Sequence, residues 1–131
     1  QLPAGDAKTS FIDWRDISAV AAKLLTDDSF NNHDFDITGP EAITHEQVAK
    51  AIGEEIKTQI DYEDTPPEQL KAGLLQAGLP EDYADFLLLI FSYLKQGYSA
   101  GITNNVKKIL GRDPKNIHEY VKDYREAWKA R

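Results

Sequence analysis

Thr9-Ser-Phe-Ile-Asp-Trp-Arg-Asp-Ile-Ser-Ala-Val-Ala-Ala-Lys-Leu-Leu25 joins two different hydrophobic patterns. Its first five residues are β-prone, and from Ile17 the apolar positions Val20, Ala21, Leu24 and Leu25 recur with helical spacing. A strand therefore hands over to an amphipathic helix, with Asp16 expected as its N-cap. Working outward, Asp34-Phe-Asp-Ile-Thr38 alternates polar and apolar residues as a third element, and Gly39-Pro40 breaks it. Thr44 followed by Gln47 is a capping-box pattern, and it opens a helix with Val48, Ala49, Ile52 and Ile56 as its stripe. Gln59-Ile-Asp-Tyr-Glu63 predicts a further strand. Residues 1–65 thus read as β-α-β-α-β, an α/β pattern with helices packed on a sheet.

Residues 66–131 read as helical. Thr65-Pro-Pro-Glu68 predicts a second capping box with proline in the first turn, and Leu70, Leu74 and Leu75 supply a stripe that Gly78 ends. A long helix is expected from Pro80 to about Gln96, stopped by Gly97. A short helix from Thr103 stops at Gly111. Asn116-Ile-His-Glu119 opens a last helix with Ile117, Tyr120, Val121, Tyr124 and Trp128 on one face. The whole is expected to be a single domain of about three short strands and six helices.

Composition narrows the function. The 131 residues carry a net charge of −7, which repels polyanions and argues against nucleic acid or an anionic membrane surface as partner. The charge is uneven: residues 1–65 hold fourteen acids against five bases, and residues 66–131 eight against ten. The longest apolar run, Phe86 to Phe91, is far too short to span a bilayer. Absence of cysteine excludes disulfides, thiolate chemistry and cysteine-ligated zinc. Nothing marks the chain for secretion, so a cytoplasmic location is expected. The chain contains no methionine, even at its first position, and so reads as a fragment begun after a cut.

The glycines, at positions 5, 39, 53, 73, 78, 97, 101 and 111, never fall two apart. Neither a dinucleotide fingerprint nor a P-loop exists, and with them goes the backbone cradle for a phosphate. No tyrosine has a lysine four residues on, so the phenol whose pKa an ammonium would lower is also missing. Asp34, Asp36, Thr38 and Gly39 imitate the start of a calcium loop, but Pro40 and His45 stand where its seventh and twelfth ligands belong. His33, His45 and His118 lack a second histidine at ligand spacing and read as exposed residues rather than metal ligands or bases. Asp13 and Arg15 offer either a cleft-edge pair or a plain ion pair. In Tyr83–Leu94, the apolar run Leu87–Phe91 covers more than one helical face, so something apolar must meet this helix on more than one side. That is a helix sandwiched in the core, a lid over a ligand or a subunit contact. Tyr83, Phe86, Phe91, Tyr93 and Tyr98 would be its aromatic surface.

Taken in order, the segments 10–25, Phe35-Asp-Ile-Thr-Gly-Pro-Glu-Ala-Ile-Thr44, Leu79-Pro-Glu-Asp-Tyr-Ala-Asp85, Gly97-Tyr-Ser-Ala100 and Leu110-Gly-Arg-Asp-Pro-Lys-Asn-Ile-His-Glu-Tyr-Val121 resemble the C-terminal half of NmrA-like proteins. These are atypical short-chain dehydrogenases/reductases that include quinone, azo-dye and triphenylmethane-dye reductases and redox-sensing regulators. The resemblance covers almost the whole chain. It implies the substrate-side portion of a two-lobed NAD(P)-binding Rossmann protein whose N-terminal Rossmann half is missing. NADP or NAD would belong to the intact parent, with no cofactor bound by this fragment. By the same resemblance Phe11, Asp13 and the helix Tyr83–Tyr98 line the substrate cleft. The parent is then a reductase of quinone-like or other flat apolar acceptors or, alternatively, a redox-sensing module that binds a protein partner without turnover. The fragment alone would be inactive and, with apolar surface uncovered, a homodimer.

Overall fold

A computed structural model describes residues 1–129, and they build seven α-helices around a minimal sheet. In chain order these are β1 (Lys8–Thr9), α1 (Trp14–Thr26), a 3₁₀ turn (Asp28–Phe30), β2 (Ile43–Thr44), α2 (His45–Ile56), α3 (Pro67–Gln76), α4 (Glu81–Lys95), α5 (Asn105–Leu110), α6 (Ile117–Asp123) and α7 (Arg125–Lys129). The two strands pair antiparallel, with Lys8 opposite Thr44 and Thr9 opposite Ile43. Where an α/β arrangement of about three short strands and six helices was expected, the described residues form a mostly helical body with one small two-stranded sheet.

The sheet is smaller than the alternation suggested, for a physical reason. Alternating side chains make a strand only where a neighbour takes the backbone bonds. Residues 34–38 find none, and side chains satisfy them instead: the Thr103 hydroxyl and the Asn105 amide both donate to the Asp36 carbonyl, at 2.7 and 2.8 Å. Residues 59–63 form no strand; the one parallel bridge is made just beyond them, by Asp64 with Leu2. Beyond Thr9, the 10–12 segment keeps a single ladder-like bond, from Ser10 N–H to the Ser99 carbonyl at 2.8 Å.

Helix starts follow local chemistry where the cap is local. Thr44 and Gln47 cap α2 reciprocally, as do Asn116 and Glu119 at α6. Gly111 closes α5 in the left-handed region, at φ 69°. Two expected starts are corrected. Helix α1 is capped by Asp13, not Asp16, so it begins a turn earlier. Helix α3 starts at Pro67 behind Pro66 with no side-chain cap, because Thr65 is buried with its hydroxyl unpaired. The last expected helix is interrupted at Tyr124, which leaves helical geometry and separates α6 from α7.

The core lies where α1 meets α5. Val20, Val106 and Ile109 are buried together, with Ile12, Leu24, Phe35 and Ile37 packed around them. On the other side α2 rests against α6 and α7, while α3 and α4 pair with each other. At Gly39 the backbone passes so close to the Phe11 carbonyl that a Cβ would lie 1.7 Å from its oxygen. Only glycine allows the 35–40 segment to seat against the 10–12 segment. Gly39→Ala is therefore expected to lower the unfolding free energy by about 1–3 kcal/mol, the usual cost of forcing atoms into a filled space. Urea denaturation of the two chains measures it, and an unchanged midpoint would contradict the close approach.

Candidate functional site

The Asp13–Arg15 pair is built into the start of α1. Asp13 accepts from the Arg15 backbone N–H at 2.8 Å and from its guanidinium at 2.6 and 2.9 Å. The same guanidinium reaches Asp123 at 2.6 Å and lies over the Tyr124 ring at 5.2 Å. Beside it the Trp14 indole N–H donates to the Tyr124 hydroxyl at 3.0 Å. The guanidinium holds the Asp13 carboxyl below its usual range. One turn on, Asp16 is fully buried: it accepts from the Lys115 backbone N–H at 2.7 Å and pairs with Arg112 at 2.7 Å. Both aspartates therefore fasten the start of α1 to the 112–124 segment, and neither is a free carboxylate for proton transfer.

Above this knot lies a half-open cavity of about 320 Å³, between the Phe11–Trp14 segment, α2 and α6. Phe11, Ile12, Ile43, Val48 and Ile52 give it apolar walls, and Trp128 of α7 borders it. Phe11 meets the His45 ring edge-on at 5.3 Å, and His45 in turn lies 5.9 Å from Tyr62. His45 was expected to be exposed in the first turn of its helix. It is half-buried between the two aromatic rings, its Nδ1 is unpartnered, and burial pushes its pKa down. The Tyr62 hydroxyl donates to the Leu2 carbonyl at 2.6 Å and accepts from Ala4 N–H at 3.0 Å, pinning the N-terminal loop. His33 and His118 are exposed.

The remaining candidates lie elsewhere, on α4. Ala84, Leu88, Phe91 and Leu94 form its inward face, and Tyr83, Phe86, Leu89, Ile90 and Tyr93 form an outward stripe, each between 44 and 55 % exposed. The helix is thus not sandwiched in the core. Phe91 sits half-buried with the inward residues and offers little surface outward. Tyr98 is 74 % exposed, stacks edge-on against Tyr93 at 5.7 Å and borders a shallow groove with Ser10, Phe35 and Ile102. Of seven candidates, four make one aromatic surface, Phe91 supports it from within, and Phe11 and Asp13 line the separate cavity. Sequence reading singled out neither Trp14 nor Arg112 as a partner, since each finds its contact about a hundred residues away.

Each of α1 to α4 carries an acid in its first turn, so a phosphate approaching any of these N-termini meets a carboxylate. Among the described residues no three His, Asp or Glu side chains gather as a metal site, and no helix is long and apolar enough to cross a membrane.

This architecture is that of the C-terminal portion of NAD(P)-binding reductases. Citrobacter triphenylmethane reductase, solved with NADP(H), superposes with a TM-score of 0.81 at 20 % identity, covering 94 % of this chain and 43 % of that one. The NADPH-dependent quinone oxidoreductase of Escherichia coli superposes at 0.78 with 23 % identity, over 93 % and 45 %. No family model matches the chain. In sequence it is 33 % identical over 129 residues to the NAD(P)H azoreductase of Xenophilus azovorans, which is 98 % of this chain and 45 % of the relative. The chain is homologous to such NAD(P)H-dependent oxidoreductases and corresponds to their C-terminal part, spanning less than half the length of the relatives it matches.

Because burial disfavours charge on His45, its folded pKa lies below its unfolded value near 6.5. The unfolded chain then binds the extra proton more readily, so stability is full above that value and falls as pH drops below it. Thermal unfolding at pH 7.5 and 5.0 is expected to show a smaller loss of Tm in His45→Gln than in the native chain. An equal loss in both would place His45 in water.

Proposed function

We propose that this chain is the acceptor-side part of an NAD(P)H-dependent oxidoreductase that reduces quinone-like or other flat apolar molecules. The single observation that carries this is the outward aromatic stripe of α4, with Tyr98 beside it, on a chain homologous to the C-terminal part of such reductases. Hydride transfer is the chemistry of the nicotinamide, and the task left to these residues is to hold a planar acceptor and keep water from it. Tyr83, Phe86 and Tyr93 can do that through ring faces and edges, with Tyr98 closing the lower end. The dinucleotide itself would be gripped by the N-terminal part, in a cytoplasmic setting. The same stripe also supports the alternative of a redox sensor that docks a protein partner without turnover, because it is apolar and uncovered.

The 131 residues alone are expected to oxidise no NADPH with 1,4-naphthoquinone. The full-length protein that contains them is expected to turn over, and to lose about tenfold in kcat/KM with Phe86→Ala and Tyr93→Ala combined, roughly the share of two aromatic contacts. Turnover by the isolated chain would refute the division of labour, and a full-length protein that binds NADPH but consumes none with azo, quinone and triphenylmethane acceptors would favour the sensor. With the stripe uncovered, the isolated chain is expected to dimerise through residues 80–100. Sedimentation should find a dimer that Phe86→Lys converts to monomer, and a native monomer at high concentration would contradict this.

A further inference from the structure

We propose that the cavity beneath the Phe11–Trp14 segment is a small-molecule site in its own right, taking a neutral, flat, mostly apolar ligand that carries one carbonyl-type acceptor. The proposal stands without the oxidoreductase reading, since this cavity lies against α2, α6 and α7 and shares no wall with α4.

Size and walls come first. About 320 Å³ of space is at the lower end of small-molecule pockets, which run roughly 300–1,000 Å³. Its lining is dominated by Phe11, Ile12, Val48 and Ile52 together with the buried Ile43 and Val121. Water in such a space has few groups to bond, and left empty it would forfeit the packing that a small domain depends on. The walls cannot easily collapse inward. Gly39 against the Phe11 carbonyl fixes one side, and the Asp16 contacts to Arg112 and Lys115 fix the other.

The donor comes second. Both tryptophans of the chain border the cavity, and they differ in one respect. The Trp14 N–H is spent on Tyr124, whereas the Trp128 N–H is shut from solvent and has no acceptor among the described residues. An indole donor in that state is costly, and a ligand oxygen that draws the ring a little towards the cavity relieves it.

Charge comes third and decides that the ligand is neutral. The ionic groups at the rim are already committed to one another: Asp13 to Arg15, Arg15 to Asp123, and Lys115 within 4.0 Å of Asp123. Glu41 adds a negative charge to the lining, so an anion gains nothing there. For a cation the lining offers one free carboxylate, Glu41, which stands exposed to water, while the Asp13 carboxylate is buried under its arginine, so a cation would leave its hydration for a single screened contact.

Titration of the 131-residue chain with 2-acetylnaphthalene tests this, with naphthalene as the ligand lacking an oxygen. All tryptophan emission originates at the cavity wall, so a saturable change in it is expected. The methyl resonances of Ile43, Val48, Ile52 and Val121 should shift, while those of Leu89 and Ile90 on α4 stay still. The ketone should bind about fivefold tighter than naphthalene, the worth of one hydrogen bond. Trp128→Phe should erase that advantage while keeping naphthalene binding, and Ile52→Trp, with its circular dichroism unchanged, should block both. Absence of a saturable response, shifts confined to Leu89 and Ile90, or equal affinity for the two ligands in the native chain would each overturn the proposal.

Discussion

A single buried carboxylate organises the molecule. Asp16 lies in the first turns of α1 with no surface of its own exposed, and it holds both the Arg112 guanidinium and the backbone N–H of Lys115. A charge so placed is tolerated only when it is compensated, and here one oxygen accepts the Lys115 N–H while the other has the Arg112 guanidinium as ion-pair partner without an aligned hydrogen bond. The consequence is topological. The 112–116 turn is fixed on α1, Asn116 then caps α6 at a defined point, and α6 and α7 are delivered against α2. Arg15, reaching from Asp13 to Asp123, repeats the tie one turn away.

Two surfaces of different character result. On one side the knot lifts the Phe11–Trp14 segment over α2 and leaves an apolar cavity between them. On the other, α4 is anchored through its inward residues and through Lys71, which pairs with Glu81 and Asp85, and its aromatic stripe is left facing out. Tyr83, Phe86, Leu89, Ile90 and Tyr93 thus expose a contiguous run of apolar and aromatic side chains along one helix. The chain matches under half of its relatives' length.

Much of this was legible in the sequence wherever the determinant is local. The boxes at Thr44–Gln47 and Asn116–Glu119, the stop at Gly111 and the extent of α4 rest on contacts within one turn, which spacing alone reveals. The expected strands at 34–38 and 59–63 failed because a strand is defined by its neighbour, and no local pattern says whether a neighbour exists. Asp16 was misread as a cap for a related reason: an aspartate before an apolar helix has the same local signature whether it caps or is buried, and its true partners lie 96 and 99 residues on. The aromatic candidates were read as one surface, yet the period of α4 turns Phe91 inward while Phe86 and Tyr93 face out. Phe11 and Asp13 line the cavity at the start of α1, whose walls hold no residue of α4.

The most direct test is Asp16→Ala, followed by chemical denaturation and by hydrogen exchange at the Lys115 amide. Removal of the carboxylate leaves that amide without its acceptor and frees Arg112, so the unfolding free energy should fall by about 3 kcal/mol and the amide should lose its protection along with those of α6. A variant as stable as the native chain, with the Lys115 amide still protected, would show that packing alone holds the 112–124 segment on α1.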